Sequence, residues 1–246
     1  MIKNFVLCAL AGLLLCNCSF ASDCEIKHES VKFYKQFTKE QPGFVCSYYN
    51  LANEYKLKNK YQEALNTYDD IIEINPQEEI AYKRRAEIYS KFNNENKANH
   101  EYARLVKNIP DSVNGNYHMA LIYENIYEYE TALKYIDRVI ELLGDREYDK
   151  AGFYEVRANI LKKMGRYEEA IEDYTKFATS EHTYNYSVYW DISDCYKALG
   201  NDAKAKEAER KWDAAYYRTK HKTFLAQKIK SKYSDFKTKF HTEDLY

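Results

Sequence analysis

The sequence predicts an all-α fold, an α-solenoid of about five helical hairpins, and three observations lead to this prediction. The chain has three prolines, and they stand 34 residues apart, at Pro42, Pro76 and Pro110. Tyrosines return at the same interval, at Tyr55, Tyr89 and Tyr123. A fixed period between about 20 and 50 residues is typical of repeat architectures. The composition agrees, because 30% of the residues are charged and only 7 are glycine, which disfavours a loop-rich or β-rich fold.

Each repeat has the pattern of two antiparallel helices. In the first repeat, apolar or small residues recur at i, i+3, i+4 and i+7, as one face of a helix requires, at Tyr48, Leu51, Ala52 and Tyr55. A second stripe follows at Ala64, Tyr68 and Ile71. The short polar stretch KLKNKY between the stripes suits a tight turn. Proline cannot continue a helix, so each proline ends the second helix of its repeat.

The pattern resembles the tetratricopeptide repeat (TPR), which has an aromatic residue at position four, Leu at seven, Gly or Ala at eight, Tyr at eleven, Ala at twenty, an aromatic at twenty-four and Pro at thirty-two. The first repeat matches at Tyr48, Leu51, Ala52, Tyr55, Ala64, Tyr68 and Pro76. The second departs from the family by placing Arg85 at position seven, and the fifth is weaker. The resemblance implies a right-handed α-solenoid with a TPR-like array over residues 45–217, divided into 45–78, 79–112, 113–146, 151–184 and 186–217.

Both ends of the array are expected to be capped, because each repeat buries its apolar face only against its neighbours. Residues 22–44 place Tyr34, Phe37 and Pro42 at positions twenty-four, twenty-seven and thirty-two, which predicts a half-repeat with one helix over residues 25–40. Residues 218–246 predict a basic capping helix and tail, with an apolar stripe at Leu225, Ile229, Tyr233, Phe236 and Phe240. An alternative is that this basic amphipathic segment contacts anionic lipid or an acidic partner.

Residues 1–21 have the pattern of a secretory signal peptide. One lysine precedes the apolar run FVLCALAGLLLC, and small residues precede a cleavage point after Ala21. The alternative is a lipoprotein signal, in which Cys18 carries a lipid that tethers the chain to a membrane, although Asn17 stands where a lipobox usually has Gly, Ala or Ser. Either interpretation predicts an exported protein that is periplasmic, secreted or associated with an outer membrane. The bias toward Lys, Asn, Ile and Tyr suggests a bacterial source.

An oxidising compartment would permit a disulfide between Cys24 and Cys46. A helix over residues 25–40 would hold Cys24 about 20 Å from the turn that leads to Cys46, whereas a disulfide needs Cα atoms within about 7 Å. We therefore expect no such disulfide unless the helix starts late. Cys195 is expected to be a packed thiol.

No motif predicts catalysis. The six histidines are scattered, and the sequence has no HExxH, CxxC, GxGxxG, phosphate loop or GxSxG. We therefore expect no enzyme activity, no metal and no cofactor. The net charge of −1 argues neither for nor against nucleic acid, and we expect no nucleic-acid partner because the chain is predicted to be exported.

The resemblance implies that a partner binds in a groove lined by the first helix of each repeat, with positions two, five, six, nine and twelve facing inward. The residues expected to bind a partner there are Tyr49, Asn50, Asn53, Lys83, Arg84, Glu87, Tyr117, His118, Leu121, Glu155, Asn159 and Trp190, with Lys56 and Asp194 on the same face. Tyr49 and Arg84 stand at two positions where chaperone-binding members carry Lys and Asn, so the sequence does not predict a co-chaperone. Arg84 has a competing role, an ion pair with Glu87 or Glu54.

The sequence thus predicts an exported, non-enzymatic interaction scaffold that holds a protein or peptide partner in its groove. The second hypothesis is a membrane-tethered lipoprotein with a structural role in assembling an envelope complex.

Overall fold

The computed structural model describes residues 29–180, 186–217 and residue 220, and the regular structure among these residues is helical. The chain forms two compact units, Met1–Ile122 (the N-terminal unit) and Tyr123–Tyr246 (the C-terminal unit). In chain order the helices are α1 (Val31–Glu40), α2 (Val45–Leu57), α3 (Tyr61–Ile74), α4 (Glu79–Lys91), α5 (Glu95–Asn108), α6 (Val113–Asn125), α7 (Tyr129–Leu142), α8 (Glu147–Lys163), α9 (Tyr167–Thr179) and α10 (Val188–Ala198). A last helix, α11, covers residues 202–217.

Successive helices pack against each other, which confirms the predicted hairpins. In the N-terminal unit α1 packs on α2, and the pairs α2–α3, α3–α4 and α4–α5 are in contact. In the C-terminal unit the pairs α7–α8, α8–α9 and α9–α10 are in contact. The alanines at positions eight and twenty of the repeats are fully or almost fully buried, so neighbouring helix backbones can approach closely; in the N-terminal unit these are Ala52, Ala64, Ala86 and Ala98.

The turn inside each hairpin has the same backbone conformation. The fifteenth residue of each repeat has a positive φ, between 54° and 77°, at Asn59, Asn93, Tyr127, Gly165 and Gly200. The following amide then donates back into the first helix, as Lys60 N–H does to the Tyr55 carbonyl at 2.8 Å, which is a Schellman-type helix end. Glycine and asparagine adopt this conformation at little cost. Tyr127 does so at a greater cost and is 78% exposed.

The N-terminal cap is a single helix, α1, which starts later than the expected residue 25. Ser30 is its N-cap, and the Ser30 Oγ accepts a hydrogen bond from the Phe33 N–H at 3.1 Å. Tyr34 is buried in the core of the N-terminal unit. The Phe37 ring packs edge-on against Phe44, with 5.9 Å between the ring centroids. The expected half-repeat therefore exists, although its helix is shorter than the expectation.

The expectation of no disulfide between Cys24 and Cys46 applied only if the first helix did not start late, and Cys24 lies outside the described residues. Cys46 is disulfide-bonded, and its partner lies outside the described residues. The distance argument against that disulfide required a helix from residue 25, and it does not apply here because α1 begins at Val31 and Ser30 precedes it in an extended conformation. Cys195 is a free, buried thiol, as expected.

Several expectations concern residues outside the described part of the chain. These are the signal peptide over 1–21, the lipid site at Cys18, and the apolar stripe from Leu225 to Phe240. Among the helices that the structure describes, none is long and apolar enough to cross a membrane.

Candidate functional site

The first helices of the N-terminal unit, α2, α4 and α6, carry the candidate site. We call their solvent-facing side chains the N-terminal face: Tyr49, Asn53, Lys56, Lys83, Arg84, Glu87, Tyr117, His118 and Leu121. All nine are half-buried or exposed. Asn50, also expected on this face, is only 9% exposed, so little of its amide is open to a ligand.

Tyr49 joins α2 to the start of α4. Its hydroxyl donates to Glu78 Oε1 at 3.2 Å, and its ring lies 6.1 Å from the ring of Tyr68. Burial raises the pKa of the Tyr49 hydroxyl, and the nearby Glu78 carboxylate raises it further. The side chain is therefore a neutral donor that is fixed in place, and it offers a preformed aromatic wall.

Arg84 and Glu87 form an exposed ion pair in the middle of the N-terminal face. Arg84 Nη1 lies 2.8 Å from Glu87 Oε2, which realises one of the two competing partners expected for Arg84. Both side chains are more than one-third exposed, at 47% and 39%. An exposed pair of this kind contributes about 0–1 kcal/mol to stability, so either group can exchange its partner for a ligand at little cost.

An aromatic stack lies at the α5–α6 side of the N-terminal face. The rings of Tyr102 and His118 are nearly parallel, with centroids 3.8 Å apart and planes at 16°. Tyr117 approaches His118 edge-on at 5.5 Å. Burial lowers the pKa of the His118 imidazole, and the positive charge of Lys83 lowers it further. At neutral pH this stack is an uncharged, flat surface beside a lysine.

The corresponding side chains of the C-terminal unit have internal partners. Asn159 accepts a hydrogen bond from the Tyr174 hydroxyl at 2.6 Å, and Glu155 is half-buried. Lys162 lies 3.0 Å from Asp191 and 3.2 Å from Asp194. An open cavity of about 590 Å³ is lined by Glu124, Asn159, Lys162, Lys163, Tyr167 and Asp191.

Trp190 belongs to an aromatic row on α10 and α11. It is 42% exposed, and its ring centroid lies 5.4 Å from that of Trp212. Trp212 in turn stacks on Tyr216, with 5.0 Å between the centroids. The expected site residue Trp190 thus contributes to a surface formed with α11, which the sequence did not predict.

Two arginine networks, one around the buried Arg85 and one around the half-buried Arg157, were missed by the sequence analysis. Arg85, noted only as a departure from Leu at position seven, is buried between consecutive second helices. It donates to Asp69 on α3, to the Leu65 carbonyl at 2.8 Å, and to Glu101 on α5 at 2.9 Å. The Glu101 carboxylate also lies 3.0 Å from Arg104. One arginine therefore ties two successive repeats together.

The second network repeats the first in the C-terminal unit. Arg157, also at position seven, donates to Asp137 on α7 at 2.7 Å and to both oxygens of Asp173 on α9, at 2.6 and 2.9 Å. These carboxylates occupy positions twenty-five and twenty-three, the positions of Asp69 and Glu101. The signal was present in the sequence as a second, longer period, in which position seven alternates between apolar residues and arginine: Leu51, Arg85, Met119, Arg157 and Ile192.

The described residues contain no group of three or more His, Cys, Asp or Glu side chains that could hold a metal ion. The hydrogen bonds and ion pairs of the two arginine networks serve packing between helices. The N-terminal face differs from them, because its polar side chains are open to solvent.

Comparisons with known proteins agree with the helical hairpins. Family models of the tetratricopeptide repeat match residues 45–78 and 151–180. A TPR repeat-containing protein of Methanocaldococcus jannaschii is 32% identical over 97 residues, which cover 39% of this chain. The match spans 30% of the length of that relative, so the relative extends well beyond the matched region.

Solved structures share the fold at low identity. The crystal structure of MamA is 19% identical and covers 72% of this chain and 94% of its own, with a TM-score of 0.59. YrrB, described as a TPR protein with an unusual peptide-binding site, is 18% identical and covers 76% and 93%, with a TM-score of 0.60. These likenesses show the fold, an all-α TPR solenoid. The repeat matches therefore identify tetratricopeptide repeats at residues 45–78 and 151–180, within an all-α TPR solenoid.

Proposed function

We propose that the chain is an exported, non-enzymatic scaffold that binds a peptide segment of a partner protein on its N-terminal face. The observation that carries the proposal is the combination of fixed aromatic side chains with exposed polar ones on three adjacent first helices. Tyr49 and the Tyr102–His118 stack are held by internal contacts, whereas Lys83 and Arg84 are exposed. Rigid aromatic and arginine anchors within a polar surface are typical of binding sites. The peptide-binding site ascribed to YrrB is consistent with this role.

Export is supported by two independent features. The first is the apolar segment of residues 1–21, with its small residues before Ala21. The second is the disulfide at Cys46, because disulfides persist in oxidising compartments and are rare in the cytosol. Among the cysteines that precede Cys46, only Cys24 remains after cleavage behind Ala21, so we propose Cys24 as the partner in the mature chain.

The alternative function is that of a lipoprotein tethered through Cys18, which helps to assemble an envelope complex. Intact mass spectrometry of the chain purified from its native host separates the two forms. A mature N-terminus at Ser22 supports the freely exported scaffold, and a lipid on Cys18 supports the tethered form. Recovery of the chain from the cytoplasm with residues 1–21 still attached would contradict both forms.

The binding role is tested in the native host by site-specific photo-crosslinking. A photoreactive amino acid replaces Tyr117 on the N-terminal face, or Glu63, which is exposed on the second helix α3, as the matched control. We expect a discrete crosslinked protein from position 117 and none from position 63. Equal crosslinking at both positions, or none at position 117, would show that the N-terminal face is not the binding site.

A further inference from the structure

The charges of the N-terminal face are unbalanced. Its cations are Lys56, Lys83 and Arg84, and Lys91 lies close enough to Lys56 to affect its titration. The half-exposed carboxylate among them is Glu87, which is paired with Arg84. Within the described chain, Lys56 and Lys83 have no carboxylate within ion-pair distance. Two lysines on adjacent first helices therefore have no ion-pair partner among the described residues.

The neighbouring carboxylates do not compensate for this excess at the surface. Glu54 and Glu78 are buried, at 7% and 4% exposure, and Glu78 accepts the hydrogen bond from Tyr49. Glu79, at the start of α4, accepts a hydrogen bond from Asn114 Nδ2 at 2.6 Å. Each of these carboxylates is already engaged or lies below the surface.

Lys56 is in an unfavourable environment without a ligand. Burial lowers the pKa of its ammonium group, and the positive charge of Arg84 lowers it by more than the Glu87 carboxylate raises it. A partly desolvated cation next to another cation gains from any carboxylate that arrives, because charge-assisted hydrogen bonds are stronger than neutral ones. The face is thus arranged to attract negative charge.

The C-terminal unit provides the contrast within the same chain. Lys162, at position twelve as Lys56 is, is paired with Asp191 and Asp194, and its neighbour Lys163 is paired with Glu124 at 2.8 Å. A ligand carboxylate would have to displace these internal partners. The unpaired cations of the N-terminal face therefore distinguish it from an ordinary solvated helix surface.

We propose that the N-terminal face selects an acidic peptide segment that also carries an apolar side chain. Carboxylates of the segment pair with Lys56 and Lys83, and the apolar side chain packs on the Tyr102–His118 stack beside Leu121. The proposal rests on the proposed function and specifies the class of peptide that the same face takes. Charge complementarity selects this occupant, and stacking gives it a fixed register.

The test is a selection from a phage-displayed library of random twelve-residue peptides, carried out on the immobilised mature chain with its disulfide intact. We expect the enriched peptides to be net acidic and to contain at least one aromatic or large aliphatic residue. The best peptide is then synthesised, together with a matched peptide in which Asn and Gln replace Asp and Glu. We expect binding of the acidic peptide to weaken by about tenfold or more on loss of its carboxylates, and to weaken as salt is raised.

Two double variants complete the test. The Lys56→Gln/Lys83→Gln variant should weaken the acidic peptide about tenfold or more, whereas Lys162→Gln/Lys163→Gln should bind it as the unchanged chain does. Circular dichroism melting identifies any variant that has lost its fold. Enrichment of neutral or basic peptides, or equal binding by both double variants, would overturn the acidic selectivity. Crosslinking at Tyr117 in the host would then still support the proposed function, and its absence would remove both.

Discussion

Replacing Arg85 by leucine should destabilise the N-terminal unit, although leucine is the residue that the repeat pattern has at this position. The Arg85 side chain is 7% exposed, and it shares hydrogen bonds with Asp69, Glu101 and the Leu65 carbonyl. Its removal leaves Glu101, at 3% exposure, in the interior with Arg104 as the remaining cation. Breaking a buried ion pair by removing one partner costs about 3–5 kcal/mol. We expect about 3 kcal/mol, at the lower end, because Arg104 still pairs with Glu101.

The loss of stability in Arg85→Leu should arise from the buried Glu101 carboxylate that has lost its arginine partner. A second substitution tests this. Arg85→Leu/Glu101→Leu removes both charges, and replacement of a buried ion pair by apolar residues is often neutral or stabilising. We expect the double variant to recover to within about 1 kcal/mol of the unchanged chain. Arg84→Leu is the matched control, because its pair with Glu87 is exposed, and its loss should cost at most about 1 kcal/mol.

The assay is urea unfolding followed by far-ultraviolet circular dichroism. Tryptophan fluorescence is unsuitable for this unit, because both tryptophans, Trp190 and Trp212, belong to the C-terminal unit. Hydrogen exchange read peptide by peptide would show that the loss is confined to α3, α4 and α5. Two outcomes would refute the role given to the Glu101 carboxylate. In the first, Arg85→Leu is at least as stable as Arg84→Leu. In the second, the double variant is less stable than Arg85→Leu.

Three further predictions concern single residues. Ala98 is buried at 2% exposure, so overpacking by Ala98→Leu should lower the free energy of unfolding by about 1–3 kcal/mol. Substitution of its exposed neighbour, Lys97→Leu, should lower it much less. Equal melting temperatures of the two variants would contradict the repeat register. Burial raises the pKa of the Cys195 thiol to about 11, so the folded chain should resist iodoacetamide at pH 8 and react only in denaturant; rapid alkylation of the native chain would contradict the burial. The pKa of His118 is lowered by burial, so the folded state favours the neutral ring. This contribution to stability is present above the unfolded pKa of about 6.5, and it is lost as the pH falls through the lower pKa of the folded state. A His118 resonance that titrates at or above about 6.5 in an NMR titration would contradict this prediction.

The fold was largely predictable because its signals are local and repeated. Stripes such as Tyr48, Leu51, Ala52 and Tyr55 fix which side of a helix is buried, and the resulting cores contain the predicted alanines and tyrosines. The start of α1 was missed because a single N-cap, Ser30, decides it, and the helix period carries no information on that point. The argument against a disulfide between Cys24 and Cys46 depended on the same helix start.

The candidate site was less predictable because it depends on pairing between side chains. The sequence placed Arg84 on the correct face but left two acids as its partner, and only the structure selects Glu87. Position six was expected to be open for Asn50, yet the helix packs it almost out of solvent. The unpaired state of Lys56 and Lys83 could not be read from the sequence at all, because the 38 Asp and Glu residues of the chain offer many candidate partners.

The arginine networks imply that the structural unit of this array is two repeats long. Arg157 depends on Asp137 in the preceding repeat, as Arg85 depends on Asp69. Arg157 needs an acid at position twenty-five of the repeat before it. If the single repeat 113–146 were lost, the preceding repeat would have Ala103 at that position, whereas joining the first repeat directly to the fourth would supply Asp69 there. The array can therefore lengthen or shorten in steps of two hairpins without stranding a charge, so a gene duplication that preserves folding should span about 70 residues, two 34-residue periods.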